Sequence, residues 1–110
     1  MATTESGRRA VELGNGWWFT RHAVMRMQAR GLSRRAVLHA LLHGRRCHVG
    51  GMCIHALGRR EVARGHARGV DLREASGVQV VCSHDRRIVT VYRNTDFTAL
   101  RRRRGRRRFS

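Results

Sequence analysis

Near the start of the sequence three side chains stand at four-residue intervals: His22, Arg26 and Arg30. On a helix this spacing lines them along one side. Breaking an RNA phosphodiester without a metal needs a base for the 2′-hydroxyl proton. It also needs an acid for the leaving oxygen and cations against the charge that builds at phosphorus. One imidazole followed by two guanidiniums supplies a base, His22, and two phosphate holders, Arg26 and Arg30. The same residues also make an ordinary solvated basic face, and their spacing leaves both readings open. Late in the chain, Thr90 and Tyr92 stand two apart on a β-branched run and share one side of a strand. Tyr92 there donates a proton, stacks on a base, or hydrogen-bonds at the surface. Arg87 and Arg93 flank the same run as phosphate-holding side chains. His84-Asp85 is a weaker acid pair, because Asp in a turn usually satisfies backbone groups.

Metal chemistry is not expected. Cys47-His48 and Cys53-His55 have zinc-binding side chains but not the spacing of a zinc ribbon or knuckle, and Cys82 is distant in sequence. Alternation along strands accounts for them. Seven acidic residues in the whole chain are too few to suggest a Mg²⁺ carboxylate cage. The sequence has no Gly-rich phosphate loop, no paired carboxylates and no serine-histidine-aspartate arrangement, so no cofactor is expected either. Three cysteines are an odd number and too few for a disulfide scaffold. They read as reduced thiols of a cytoplasmic protein.

Charge narrows the partners. Twenty-four basic residues face seven acidic ones in 110 residues, for a net +17 and a pI near 12.0. All of the basic residues are arginine, a bias that a GC-rich genome also produces. Whatever its origin, the field attracts polyphosphates, and arginine forks onto phosphate and stacks on bases as lysine does not. Seven arginines, Arg101, Arg102, Arg103, Arg104, Arg106, Arg107 and Arg108, form a C-terminal block. Without them the balance is still seventeen to seven, or +10. No apolar run reaches the length of a membrane span, and Met1–Arg9 has no apolar core of a signal peptide.

The elements that must position these residues follow from local signals. Residues 1–15 are polar and aperiodic and read as a flexible segment; residues 99–110 read as a disordered arm of like charge. One domain lies between them, over 16–98. Trp17-Trp18-Phe19 reads as a short strand or anchor, with base stacking as the alternative use of the tryptophans. Thr20 caps a helix over 21–30 that stops at Gly31, and Ser33 caps a second over 34–43 that stops at Gly44. Val37, Leu38, Leu41 and Leu42 give the second helix its apolar stripe. The two form an αα-hairpin, too short to stand alone in water. Val78–Cys82 and Arg87–Arg93 read as a central hairpin, and 47–57 as a strand pair or bent strand turning at Gly50-Gly51. Glu61-Val62-Ala63 favours a short helix against Gly65 and Gly69, so 58–77 stays open. The result is an α+β fold: an αα-hairpin packed on a small antiparallel sheet, with Leu41 buried against the Val89–Val91 sheet.

Several of these motifs together resemble a known family. Thr20-Arg21-His22-Ala23, Arg26-Met27, Arg30-Gly31-Leu32-Ser33 and Leu41-Leu42-His43-Gly44 resemble the opening of a family of small bacterial domains of unknown function. Val80-Val81 and Ile88-Val89-Thr90-Val91-Tyr92-Arg93 resemble its closing hairpin. That family is similar to RelE-type and BrnT-type toxins. The resemblance covers about residues 19–94 and implies a RelE-like fold and metal-independent endoribonuclease chemistry. In that reading His22 is the base and Tyr92 assists; Arg26, Arg30 and Arg93 hold phosphate. It also implies an acidic antitoxin partner. The Arg-rich tail is outside the family pattern. Two rival readings need no catalysis: a DNA- or RNA-binding protein on the same fold, and a module docking an acidic antitoxin or immunity partner. A homodimer fits any of them.

Overall fold

The computed structural model describes residues 10–14, 16–83 and 85–94. The Arg101–Arg108 block, His84 and residues 95–98 of the expected domain lie outside them. Six strands and three α-helices follow in order: β1 (Ala10–Gly14), β2 (Trp17–Thr20), α1 (Arg21–Ala29), α2 (Arg34–His43), β3 (Arg45–Val49), β4 (Met52–Ala56), α3 (Arg59–Ala67), β5 (Val78–Cys82) and β6 (Arg87–Arg93). A 3₁₀ turn at Arg73–Ala75 precedes β5. The architecture is α+β, as the pattern of short strands and capped helices predicts.

The sheet departs from the expected antiparallel one. Its order is β1-β2-β6-β5-β4-β3, and β2 runs parallel to β6 through Trp18↔Arg87 and Phe19↔Ile88. A parallel pair needs a long crossover, and everything from α1 to β5 supplies it. β1 is the second departure. Residues 10–14 fall in the segment read as flexible, yet they pair antiparallel with β2. The stretch AVELG is too short to announce a strand by itself, and its partner across the turn stabilises it.

Local chemistry explains the helices. Thr20 accepts the Ala23 N–H through its side chain at 3.1 Å, and Ser33 accepts that of Ala36 at 3.0 Å, as N-caps do. After α1 the Leu32 N–H returns to the Met27 carbonyl at 2.9 Å, with Gly31 at φ +65°. This is a Schellman ending. Gly44 differs from expectation: its φ is −74°, so it is no left-handed cap. A Cβ there would lie 2.3 Å from the Ala40 carbonyl oxygen and 3.2 Å from the Ala56 backbone. Close approach is therefore what requires glycine. Residues 59–67 resolve as a helix because Gly69 ends it rather than breaking it, the Val70 N–H reaching the Gly65 carbonyl at 2.8 Å.

The largest fully buried side chains meet on one face of the sheet. Phe19, Ala23, Met27, Val37, Leu41, Leu57, Leu72, Val78, Val80, Ile88 and Val91 belong to a single cluster. A register irregularity at Val81/Cys82 lets Ile88 and Val91, three apart, both face it. Leu41 is buried in the same cluster as Val80 and Val91. α2 lies on β5, β4 and the 3₁₀ turn, while α1 occupies β6. The reason is that β2, inserted beside β6, carries α1 there directly. Cys47, Ile54 and Ala56, with Val49 and Val81, form a smaller cluster on the other face.

Candidate functional site

The first turns of α1 bring two of the expected residues together. The Arg26 Nε–H donates to His22 Nε2 at 3.3 Å, in the open. This follows from i,i+4 spacing on a helix whose opposite side buries Ala23 and Met27. The contact orders the guanidinium beside the imidazole. It also engages Nε2, the ring atom that a general base would use. Arg30, at the C-cap, is exposed on the same helix.

The remaining candidates fall elsewhere. Tyr92 pairs with Gln79, while the flanking Val91 pairs with Val80 in the helix-covered core. Alternation therefore puts Tyr92 and Thr90 on the other face of the sheet, apart from His22. Arg93 donates to the backbone carbonyls of Glu74 at 3.0 Å and Ser76 at 3.4 Å, tying β6 to the 3₁₀ turn. Arg87 stands over the Trp18 ring at 6.0 Å, and its Nε–H reaches the Ser83 hydroxyl at 3.3 Å. Ser83 in turn donates to Asp85, so this carboxylate serves the turn. Arg86 lies 5.6 Å over Trp17. Both tryptophans are half-buried, each paired with a guanidinium. Two consecutive tryptophans and a later Arg86-Arg87 pair were the signal for this, legible only once β2 is placed beside β6.

Cys53 and His55 do meet, at 3.6 Å between Sγ and Nε2, and Cys82 pairs with Cys53 across the strands. The ring of His55 also stands edge-on to Trp17 at 5.4 Å. Electrostatics run against catalysis here. Burial pushes the Cys53 thiol up and the Cys82 thiol to about 12. Burial, then Arg46 and His48, drive His55 down to about 4. Near neutrality the thiols and the imidazole are all uncharged, so no thiolate–imidazolium pair forms. Among the described residues no three His, Cys, Asp or Glu side chains are placed to hold a metal ion. The described helices include none long and apolar enough to cross a membrane.

The site that the geometry does build is thus a cationic surface with an imidazole in it. Every described arginine except Arg45 is exposed. Arg73 is held by Asp71 at 2.9 Å, which keeps that carboxyl well below its usual range. No curated protein and no solved structure matches the chain. Residues 19–93 match the family described as a domain of unknown function, DUF4258, and the chain belongs to it.

Proposed function

We propose that the protein binds nucleic acid through its arginine-coated surface, RNA first and DNA as the alternative. The observation that carries this reading is the exposure of the guanidiniums on α1, α2, α3 and the β6 end, set against seven carboxylates in the whole chain. Such a surface neutralises phosphates and releases their counterions. The motif resemblance to RelE-type and BrnT-type toxins described for residues 19–94 points to RNA as the target and an acidic antitoxin as partner. Three cysteines, too few for a disulfide scaffold, suit a cytoplasmic setting, and a homodimer is compatible with this reading. The test is fluorescence anisotropy with single-stranded RNA and duplex DNA over a salt series. Log K should fall linearly with log salt, by about 0.7 per phosphate for single strands and about 0.9 for the duplex. Absence of binding at low salt overturns the reading.

A second reading is metal-independent endoribonuclease activity, favoured by the 3.3 Å contact of Arg26 with His22. Here His22 takes the 2′-hydroxyl proton once phosphate draws Arg26 off its ring. The 2′-oxygen bonds to phosphorus as the bond to the 5′-oxygen breaks, leaving a 2′,3′-cyclic phosphate. The leaving 5′-oxygen takes its proton from water or from the protonated His22, and Arg26 and Arg30 stabilise the charge on the phosphoryl oxygens. His22→Ala should lower the cleavage rate by about 10²- to 10⁴-fold, leave RNA affinity nearly unchanged, and EDTA should have no effect. RNA bound tightly yet left uncut sinks this second reading and leaves the first.

A further inference from the structure

Where α2 gives way to β3, the chain closes a pocket of about 150 Å³ lined by His43, Gly44, Arg45, Arg60, Glu61 and Arg64. One water needs about 10–15 Å³ of such space, so there is ample room for a phosphate group. Three segments build it. Gly44 forms part of the wall, and no side chain fits there, since a Cβ would strike the Ala40 carbonyl. Arg45 follows at the start of β3 and is half-buried, which fixes its position. Arg60 and Arg64 stand four apart on α3, on one side of it, and are exposed. Glu61 is buried between them, and its Oε1 accepts the Gly58 N–H at 2.8 Å. Its charge is thereby tied to the start of α3.

Three guanidiniums against one carboxylate give these four side chains a net charge of +2. That balance suits a phosphate, whether monoester or diester, better than a carboxylate or a neutral ligand. The first turn of α3 adds its positive pole. The carbonyl end of α2 reaches the same corner and opposes it, so the preference for an anion rests on the three guanidiniums. We propose that this corner is a phosphate-binding site in which Arg45, Arg60 and Arg64 hold a phosphate group of a polynucleotide, terminal or internal. The proposal deepens the nucleic-acid reading. It rests on that reading for the source of the phosphate, while the site itself is tested apart from it.

The experiment follows arginine Nε–Hε signals of the full chain by NMR. Inorganic phosphate is added first, then single-stranded RNA with and without a 5′-phosphate. Signals of Arg45, Arg60 and Arg64 should move first with inorganic phosphate. A preference for the 5′-phosphorylated strand identifies a terminal monoester, and equal shifts with both strands identify the backbone. The exposed pair Arg60→Gln with Arg64→Gln should weaken phosphate binding at least about tenfold. The equal-charge control Arg21→Gln with Arg34→Gln should not. Equal losses in both pairs, or a pocket unmoved by phosphate, overturn the proposal. RNA binding without pocket shifts defeats the site and keeps the nucleic-acid reading; pocket shifts with phosphate but no RNA binding do the reverse.

Discussion

The α1 face and the α2–α3 corner are both arginine sites, and they are assembled by opposite means. On α1, helical spacing alone aligns His22, Arg26 and Arg30, and the packing of the domain adds little beyond burying Ala23 and Met27 beneath them. At the corner, Arg45 comes from a strand and Arg60 and Arg64 from a helix fourteen or more positions later in sequence. Only the seat of α2 on β5 and β4, and a glycine that tolerates backbone at 3.2 Å, bring them round one cavity. A site of the first kind presents charge on an open surface. A site of the second kind has walls, a size and a half-buried cation, and hence a basis for selecting one phosphate group over a general anionic field. The first should survive partial loss of tertiary structure better than the second.

The largest effect should come from removing the anchor of α2. Leu41→Ala deletes a buried side chain from the main cluster and should cost about 2–5 kcal/mol, read as a fall in Tm or denaturant midpoint. Since α2 leads directly into the pocket wall, phosphate binding at Arg45 should weaken with it, while the His22–Arg26 contact stays. A Tm like that of the wild type would show that the helix is seated otherwise. Next comes acid. His55 lies on β4 with its pKa lowered from 6.5 to about 4 by burial first. The unfolded chain binds this proton near 6.5 and the folded one near 4, so the contribution is complete above 6.5 and is lost as pH falls through 4. The loss reaches up to about 3 kcal/mol. His55→Gln should flatten this limb of the stability–pH curve; an unchanged limb would place the titration elsewhere. Gly44→Ala is smaller, about 1–3 kcal/mol. It should impair the corner and spare the α1 face, as separate phosphate and RNA titrations would reveal.

The difference between the two sites also marks what could be read from the sequence. Caps are local, so Thr20, Ser33 and Gly31 announced α1 and α2 with nearly correct ends. The Gly50-Gly51 turn and the β5–β6 hairpin were legible for the same reason: adjacent residues decide them. The parallel β2–β6 pair was not, because it joins residues some seventy positions apart and no local pattern encodes a partner. From that one pairing follow the placement of α1 on β6 and the stacking of Arg86 and Arg87 on the two tryptophans. The His22–Arg26 contact was legible as i,i+4 spacing. The separation of Tyr92 from it was not, since strand parity shows only which residues share a face and not which face the helices cover. Arg60 and Arg64 look in sequence like a solvated helix side; Gly44 and Arg45 give them a pocket.

The smallest effect sharpens the comparison most. Each guanidinium that neutralises a phosphate of a single strand contributes about 0.7 to the slope of log K against log salt. Arg26→Gln with Arg30→Gln and Arg60→Gln with Arg64→Gln each remove two charges from exposed positions. If charge number alone mattered, both pairs would flatten the slope for single-stranded RNA by the same amount, about 1.4. The walled geometry of the corner leads to a different expectation. There the loss should appear both in the slope and in the affinity extrapolated to high salt, because hydrogen bonds to a fixed phosphate persist when the counterion contribution has vanished. On the open α1 face, the slope should flatten and the high-salt intercept should barely move. The measurement is anisotropy across a tenfold range of salt for the wild type and both pairs. Matching intercepts for the two pairs would mean that the corner is a patch of surface charge like any other, and that its walls select nothing.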